Sequence, residues 1–188
     1  YSSVAHMGFV TLGIFSANIQ GLHGAIIQMI SHGIISAALF FCIGSIYDRY
    51  KTKKIDNFGG LGLKIPKFSI FFLIFSLGAI GFPGSSGFIG EFLTLMSVYS
   101  RSTLVAFLSS FGVILAATYM LLLYKNVFLG PVNPRIEKKP VQLNFNETFT
   151  FLILSIMILI IGIKPNFILS YTTSSLDRVI TLYPITIF

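Results

Sequence analysis

The chain has 188 residues, 54% of them hydrophobic and only 10% charged, with a formal net charge of +7. A soluble domain carries roughly 25% charged residues, so this composition excludes a small monomeric soluble protein and makes a bilayer the fitting solvent. The basic residues fall between apolar runs, which points to lipid headgroups and membrane topology and away from nucleic acid as a partner.

A membrane helix needs about 20 apolar residues, and five spans fit this length. The first is read over residues 2–18, with His6 on the face of Ser2 and Ser3. The second covers 21–47, and there Gln28, His32 and Ser36 recur at four-residue intervals, a polar stripe on one helical face. Such a stripe must face protein or water rather than lipid. The third span, 68–99, is too long for one simple crossing. Its middle reads Gly81-Phe82-Pro83-Gly84-Ser85-Ser86-Gly87. Pro83 lacks an N–H and clashes with the preceding turn, and Gly84 and Gly87 weaken the helix further. The expected solution is one crossing made of two half-helices, tolerated at membrane depth only where the break is buried in protein or faces water. The fourth span covers 103–124 and the fifth 148–163. Residues 1–166 thus read as an all-α polytopic helix bundle, and 167–188 as a C-terminal tail that either forms an interfacial amphipathic helix or packs irregularly on a neighbour.

Loop charge supports the broken-span reading. With 68–99 as one crossing, one side holds Arg49, Lys51, Lys53, Lys54, Lys64, Lys67, Lys125, Arg135, Lys138 and Lys139, and the other only Arg101, Lys164 and Arg178. The positive-inside rule then puts loops 48–67 and 125–147 on the cytoplasmic or matrix side. The chain begins at Tyr1 without an initiator Met, directly in an apolar run, so a further piece upstream is expected. Phe is abundant at 20 residues and Trp is absent, a bias that suggests an AT-rich organelle genome.

Of six acids, Glu91 alone lies inside an apolar segment. An ionised carboxylate in hydrocarbon costs several kcal/mol at least, and a carboxyl that can exist charged or neutral is what a proton relay requires. Eight residues beyond Pro83 correspond to about 12 Å along a helix, which puts Glu91 in the half-membrane away from the basic loops. His32, with an unperturbed pKa near ~6.5, suits the same chemistry, and His6 has a weaker claim. A hydrogen-bonded packing role is the plainer reading of each of the three. His23, at a span edge, and Lys125, as a snorkelling anchor, need no chemical role. Cys42, the single cysteine, is read as core packing. HExxH, CxxC, P-loop and nucleophile-elbow patterns are absent from the sequence, so the chain reads as lacking a metal, nucleotide or redox cofactor of its own.

The runs Ala5-His6-Met7-Gly8-Phe9, Gly24–Gly33, Ala38–Gly44, Tyr47-Asp48-Arg49 and Gly59-Gly60-Leu61 carry a resemblance. The stretch Pro83-Gly84-Ser85-Ser86-Gly87-Phe88-Ile89-Gly90-Glu91-Phe92 is its most specific part. Together they resemble the chain 4 family of NADH:ubiquinone oxidoreductase, respiratory complex I, whose members are antiporter-like membrane subunits. The resemblance weakens after about residue 130. It implies the last five helices of a fourteen-helix fold, with Glu91 as the terminal proton site on the exit side. His32, and more weakly His6, would belong to a central polar axis. The sister subunits are expected to carry Lys at the position of Glu91. The family's other essential residues lie in upstream helices, so the resemblance implies a separate N-terminal piece as partner, beside other membrane-arm subunits. FMN, iron–sulfur clusters and ubiquinone would sit elsewhere in the complex, and the location would be the mitochondrial inner membrane or, alternatively, a bacterial plasma membrane. The rival functions are a subunit of a multi-subunit cation/proton antiporter and a purely structural membrane piece.

Overall fold

The computed structural model describes residues 2–134 and 142–182, and within them the chain is helical without strands. Helix α1 is Ser2–Phe15 and α2 is Ile19–Tyr50. A single 3₁₀ turn, Ile55–Asn57, and the short α3, Leu61–Lys64, lead into α4, Pro66–Ile80. Then follow α5, Ser86–Tyr99, α6, Thr103–Phe128, α7, Phe145–Ile163, and α8, Asn166–Leu182. The basic positions Arg135, Lys138 and Lys139 lie outside the described residues, as do the last residues of the tail.

Helices α2, α6 and α7 are each long and apolar enough to cross a membrane, while α1 and α4 are shorter apolar helices. At 1.5 Å per residue the 32 residues of α2 extend about 48 Å, well beyond a hydrocarbon core of about 30 Å. Its start is fixed by Asn18, whose side chain accepts from Gly21 N at 2.8 Å. Its end is closed by Lys51 in the left-handed region, whose N–H donates to Tyr47 O at 2.8 Å.

The break in the third span is built from three standard pieces. Helix α4 ends in a Schellman cap: Gly81, at φ 74°, donates to Gly78 O, and Phe82 N donates to Leu77 O at 3.0 Å. A type II turn follows, with Pro83 and then Gly84 at φ 93° in the central positions and Ser85 N donating to Phe82 O at 3.0 Å. Ser85 then caps α5 by accepting from Phe88 N. The dipeptide Pro83-Gly84 therefore interrupts the helix at a turn whose flanking caps pair part of the interrupted backbone.

Contacts along α2 place α4 and α5 one after the other along its length. Phe68 shares a crevice with Ser45 and Ile46, and Gly78 lies against Ile35. Ser86 Oγ pairs with Ser31 Oγ at 2.8 Å, and Glu91 with Gln28. Thr94 lies against Gly24 and Ser97 against Gly21. As residue number rises from 68 to 97 its partner on α2 falls from 46 to 21, an antiparallel broken helix beside an unbroken one. The small residues along this seam let the backbones approach closely, as membrane helix interfaces require.

The apolar core lies in the α4 half. Phe68, Phe72 and Phe75 pack with Phe128 of α6, Phe151 of α7 and Ala38, Cys42 and Ile46 of α2. Cys42 is wholly buried there. The outer face of α6 is different: Leu104, Phe107, Leu108, Phe111, Ile114 and Leu115 are exposed, an apolar surface suited to lipid or to another membrane subunit.

Candidate functional site

Glu91 sits on the second turn of α5 and is 5% exposed. Its Oε1 is 3.0 Å from His6 Nδ1 of α1 and accepts from Gln28 Nε2 of α2 at 3.3 Å. His6 and Gln28 are 6% and 2% exposed, so three helices converge on one carboxyl away from bulk solvent. The His6 and His32 rings lie 5.4 Å apart between centroids. His32, half-buried, lies within hydrogen-bond reach of Ser36 Oγ, 3.1 Å from Nε2. Such a chain of side chains strengthens each polar contact because the surroundings are apolar.

A cavity of about 190 Å³ runs past these groups, lined on its polar side by Ser2, Ser3, His6, Gln28, His32 and Glu91. This is room for ordered water, and the lining supplies the several polar partners that a buried water needs. Leu39, Ile43, Phe72, Met120 and Leu123 form part of the cavity's apolar lining. Ser2 Oγ, from the polar lining, pairs with Tyr119 Oη at 2.7 Å.

The sequence placed Glu91 about 12 Å beyond Pro83, and the geometry corrects this. From Gly78 to Ser86 the chain advances eight residues while its partner on α2 moves only from Ile35 to Ser31. The break loops outward, so α5 begins beside the end of α4. A Cβ on Gly87 would meet Gly78 O at 2.2 Å, and one on Gly81 would meet Glu91 Oε2 at 2.6 Å. The carboxyl therefore lies at the break itself, under the cap of α4. The order of the histidines also differs from the sequence reading, which ranked His32 first: His6 touches Glu91, and His32 stands behind it.

Other polar contacts were missed from sequence. Arg49 donates through Nη1 and Nη2 to the Glu147 carboxylate, and Ser45 Oγ donates to Glu147 Oε1 at 2.8 Å. Glu147 also accepts from Asn144 N at 2.8 Å. This joins the end of α2 to the start of α7, and the pattern Asn144-x-x-Glu147 is a helix-start signature that was legible. Arg101 donates to the carbonyls of Ser16 and Ala17 at the end of α1. His23 Nδ1 lies 3.2 Å from Thr172 Oγ1, so it fastens α8 to α2. Lys125 is exposed in the last turn of α6. Among the described residues no group of three or more His, Cys, Asp or Glu side chains is placed to hold a metal ion.

An unbroken helix thus lies against a broken one, with a buried acid under the break. The profile of the family described as NADH:quinone oxidoreductase/Mrp antiporter, transmembrane, matches residues 1–123. The chain belongs to that family. It is similar to NADH-ubiquinone oxidoreductase chain 4 of Marchantia polymorpha, 44% identical over 180 residues, covering 96% of this chain and 36% of that protein. It is equally similar to NADH-quinone oxidoreductase subunit M of Rhodobacter capsulatus, 44% identical over 183 residues, 97% of this chain and 36% of that one. Among solved structures it superposes on a chain of respiratory complex I from Thermus thermophilus with bound NADH, at a TM-score of 0.81 and 31% identity over 89% of this chain and 35% of that chain. The Mrp complex of a Dietzia species shares the fold, at a TM-score of 0.79 and 20% identity over 89% of this chain and 39% of that one. The chain spans about a third of the length of the relatives it matches. The sequence resemblance to chain 4 is thus shown, over nearly the whole chain.

Proposed function

We propose that this chain carries the outward half of a proton path in the membrane arm of an NADH:quinone-reducing complex, as a subunit that holds no redox group. The observation that carries the reading is the His6–Glu91 contact at 3.0 Å, buried at a helix break beside a cavity with polar side chains on one side. The separation is within direct proton-transfer reach. A proton taken up by His32 would pass to His6, directly or through a cavity water, and from His6 Nδ1 to Glu91 Oε1. Release from Glu91 would then proceed toward the side opposite the basic loops. Gln28 and Ser36 support this axis, and Pro83, Gly84 and Gly87 maintain the break that exposes it. The similarity to chain 4 and subunit M supports membership in such a complex, with other membrane-arm subunits and lipid as partners. FMN, iron–sulfur clusters and quinone would sit elsewhere in the complex. Plant and bacterial relatives fit a mitochondrial inner or bacterial plasma membrane.

The test is Glu91→Gln in the assembled complex. Proton pumping per electron pair is expected to fall sharply while assembly persists. Full stoichiometry would overturn the reading, and failed assembly with normal flux in the residual complex would favour a structural piece. A second reading, cation/proton antiport, has the shared Mrp fold behind it. Native isolation separates the two, because NADH oxidation and flavin absorbance accompany the first and neither accompanies the second.

A further inference from the structure

Gln28 is nine-tenths buried and more, yet its Oε1 has no hydrogen-bond partner while its Nε2 donates to Glu91 Oε1. A buried amide oxygen left without a donor costs about 1–3 kcal/mol, and such an atom in a packed seam calls for an explanation. The oxygen rests against the bare Cα of Gly90, where a Cβ would approach it to 2.4 Å. Gly90 is the residue next to Glu91, so the amide is clamped at the carboxyl by the absence of a side chain at that one position.

We propose that Gln28, seated on Gly90, is the positioning residue that gives the Glu91 carboxyl a hydrogen-bond partner in both of its protonation states. An amide carries a donor and an acceptor of nearly equal shape on one planar group. When Glu91 is ionised, Nε2 donates to it. When Glu91 takes a proton, a rotation of the amide about its last bond presents Oε1, which accepts from the new O–H. His6 meets the same carboxyl and, once its Nδ1 has given up the proton, can accept from the new O–H, but its role reverses with every transfer because it is itself a party to the exchange. The amide has no proton to give and cannot be consumed by the transfer. It thereby holds the carboxyl in register with His6 through the cycle, and the unpartnered oxygen is the half of the device that the ionised form does not use. This rests on the proton-relay reading of Glu91.

The test uses the intact assembly in membranes, with infrared difference spectra across a pH step and proton transport measured on the same preparation. The C=O stretch of a protonated buried carboxyl is identified as the band that Glu91→Gln removes. In Gln28→Met, nearly isosteric and unable to hydrogen-bond, that band is expected to move to higher wavenumber, and transport to fall several-fold. Gln28→Asn, one methylene shorter, gives the same shift if Met disturbs assembly. An unshifted band in both variants, with transport lost in Glu91→Gln, overturns the proposal and leaves the relay standing. Full transport in Glu91→Gln removes both.

Discussion

The lone acid of an apolar segment was legible as a candidate site because charge in hydrocarbon is so costly that six acids reduce to one. Its nearest partner was not legible. Ser2, Ser3 and His6 open a short helix and look peripheral in sequence, whereas Gln28, His32 and Ser36 announce themselves by spacing. Contact across helices depends on register, which spacing within one helix does not encode, and so His6, 85 residues distant, is the side chain that meets Glu91. Replacing His6 by Leu removes the nearer of the two groups that reach Glu91 Oε1. Loss of a hydrogen bond to a buried group costs about 1–3 kcal/mol, and at 1.4 kcal/mol per tenfold this predicts proton transport lower by about tenfold. Dye-quench assays on vesicles holding the assembled complex measure it, and unchanged transport would remove His6 from the path.

At the scale of elements, the break at Pro83 and the pairing of two half-helices into one crossing follow from sequence, because Pro and Gly act locally. The way the break folds does not. Nothing in Gly81–Ser85 reveals that the chain loops outward instead of advancing, since that depends on what abuts it from the other helices. One neighbour is Gly162 of α7, where an added Cβ would lie 2.3 Å from Gly84 O and 2.5 Å from Ser85 C. The backbone of α7 thus braces the loop. Gly162→Ala must push α7 outward or deform the turn, and overpacking of this kind costs about 1–3 kcal/mol. A lower midpoint of thermal unfolding for the detergent-solubilised assembly is expected, and an unchanged midpoint would show that α7 yields freely. The start of α7 is marked locally by Asn144 and Glu147, but the part Glu147 plays in holding Arg49 is a tertiary fact.

Over the whole molecule, composition and the asymmetry of Lys and Arg suffice to give a membrane bundle with sided loops. The antiparallel register of α2 against α4 and α5 gives the same arrangement independently. Residue 53 follows the end of α2, and residue 100 follows the end of α5, so the two lie at opposite ends of the bundle. A membrane-impermeant maleimide is therefore expected to label Lys53→Cys from one face of sealed vesicles and Ser100→Cys from the other. Labelling of both from one face would mean that Pro83 marks a hairpin after all. Cys42 can stay in place as an internal control, being wholly buried and so shielded from the reagent. The docking of α8 onto α2 through His23 and Thr172 was outside what sequence offered, because neither residue stands out among its neighbours.

A continuous helix holds its two partial charges, about half an elementary charge each, at its ends, which for a spanning helix means at the two membrane surfaces. The cap at Gly81 and the start at Ser86 bring one end of each sign into the middle of the bundle, within reach of the Glu91 carboxyl. The cavity beside them thus lies in a fixed electric field made by peptide groups, which no side-chain substitution can titrate away. A charge placed there would lie between a carbonyl-rich helix end and an amide-rich one. Only a change that mends the helix, at Pro83 and Gly84 together, would switch that field off.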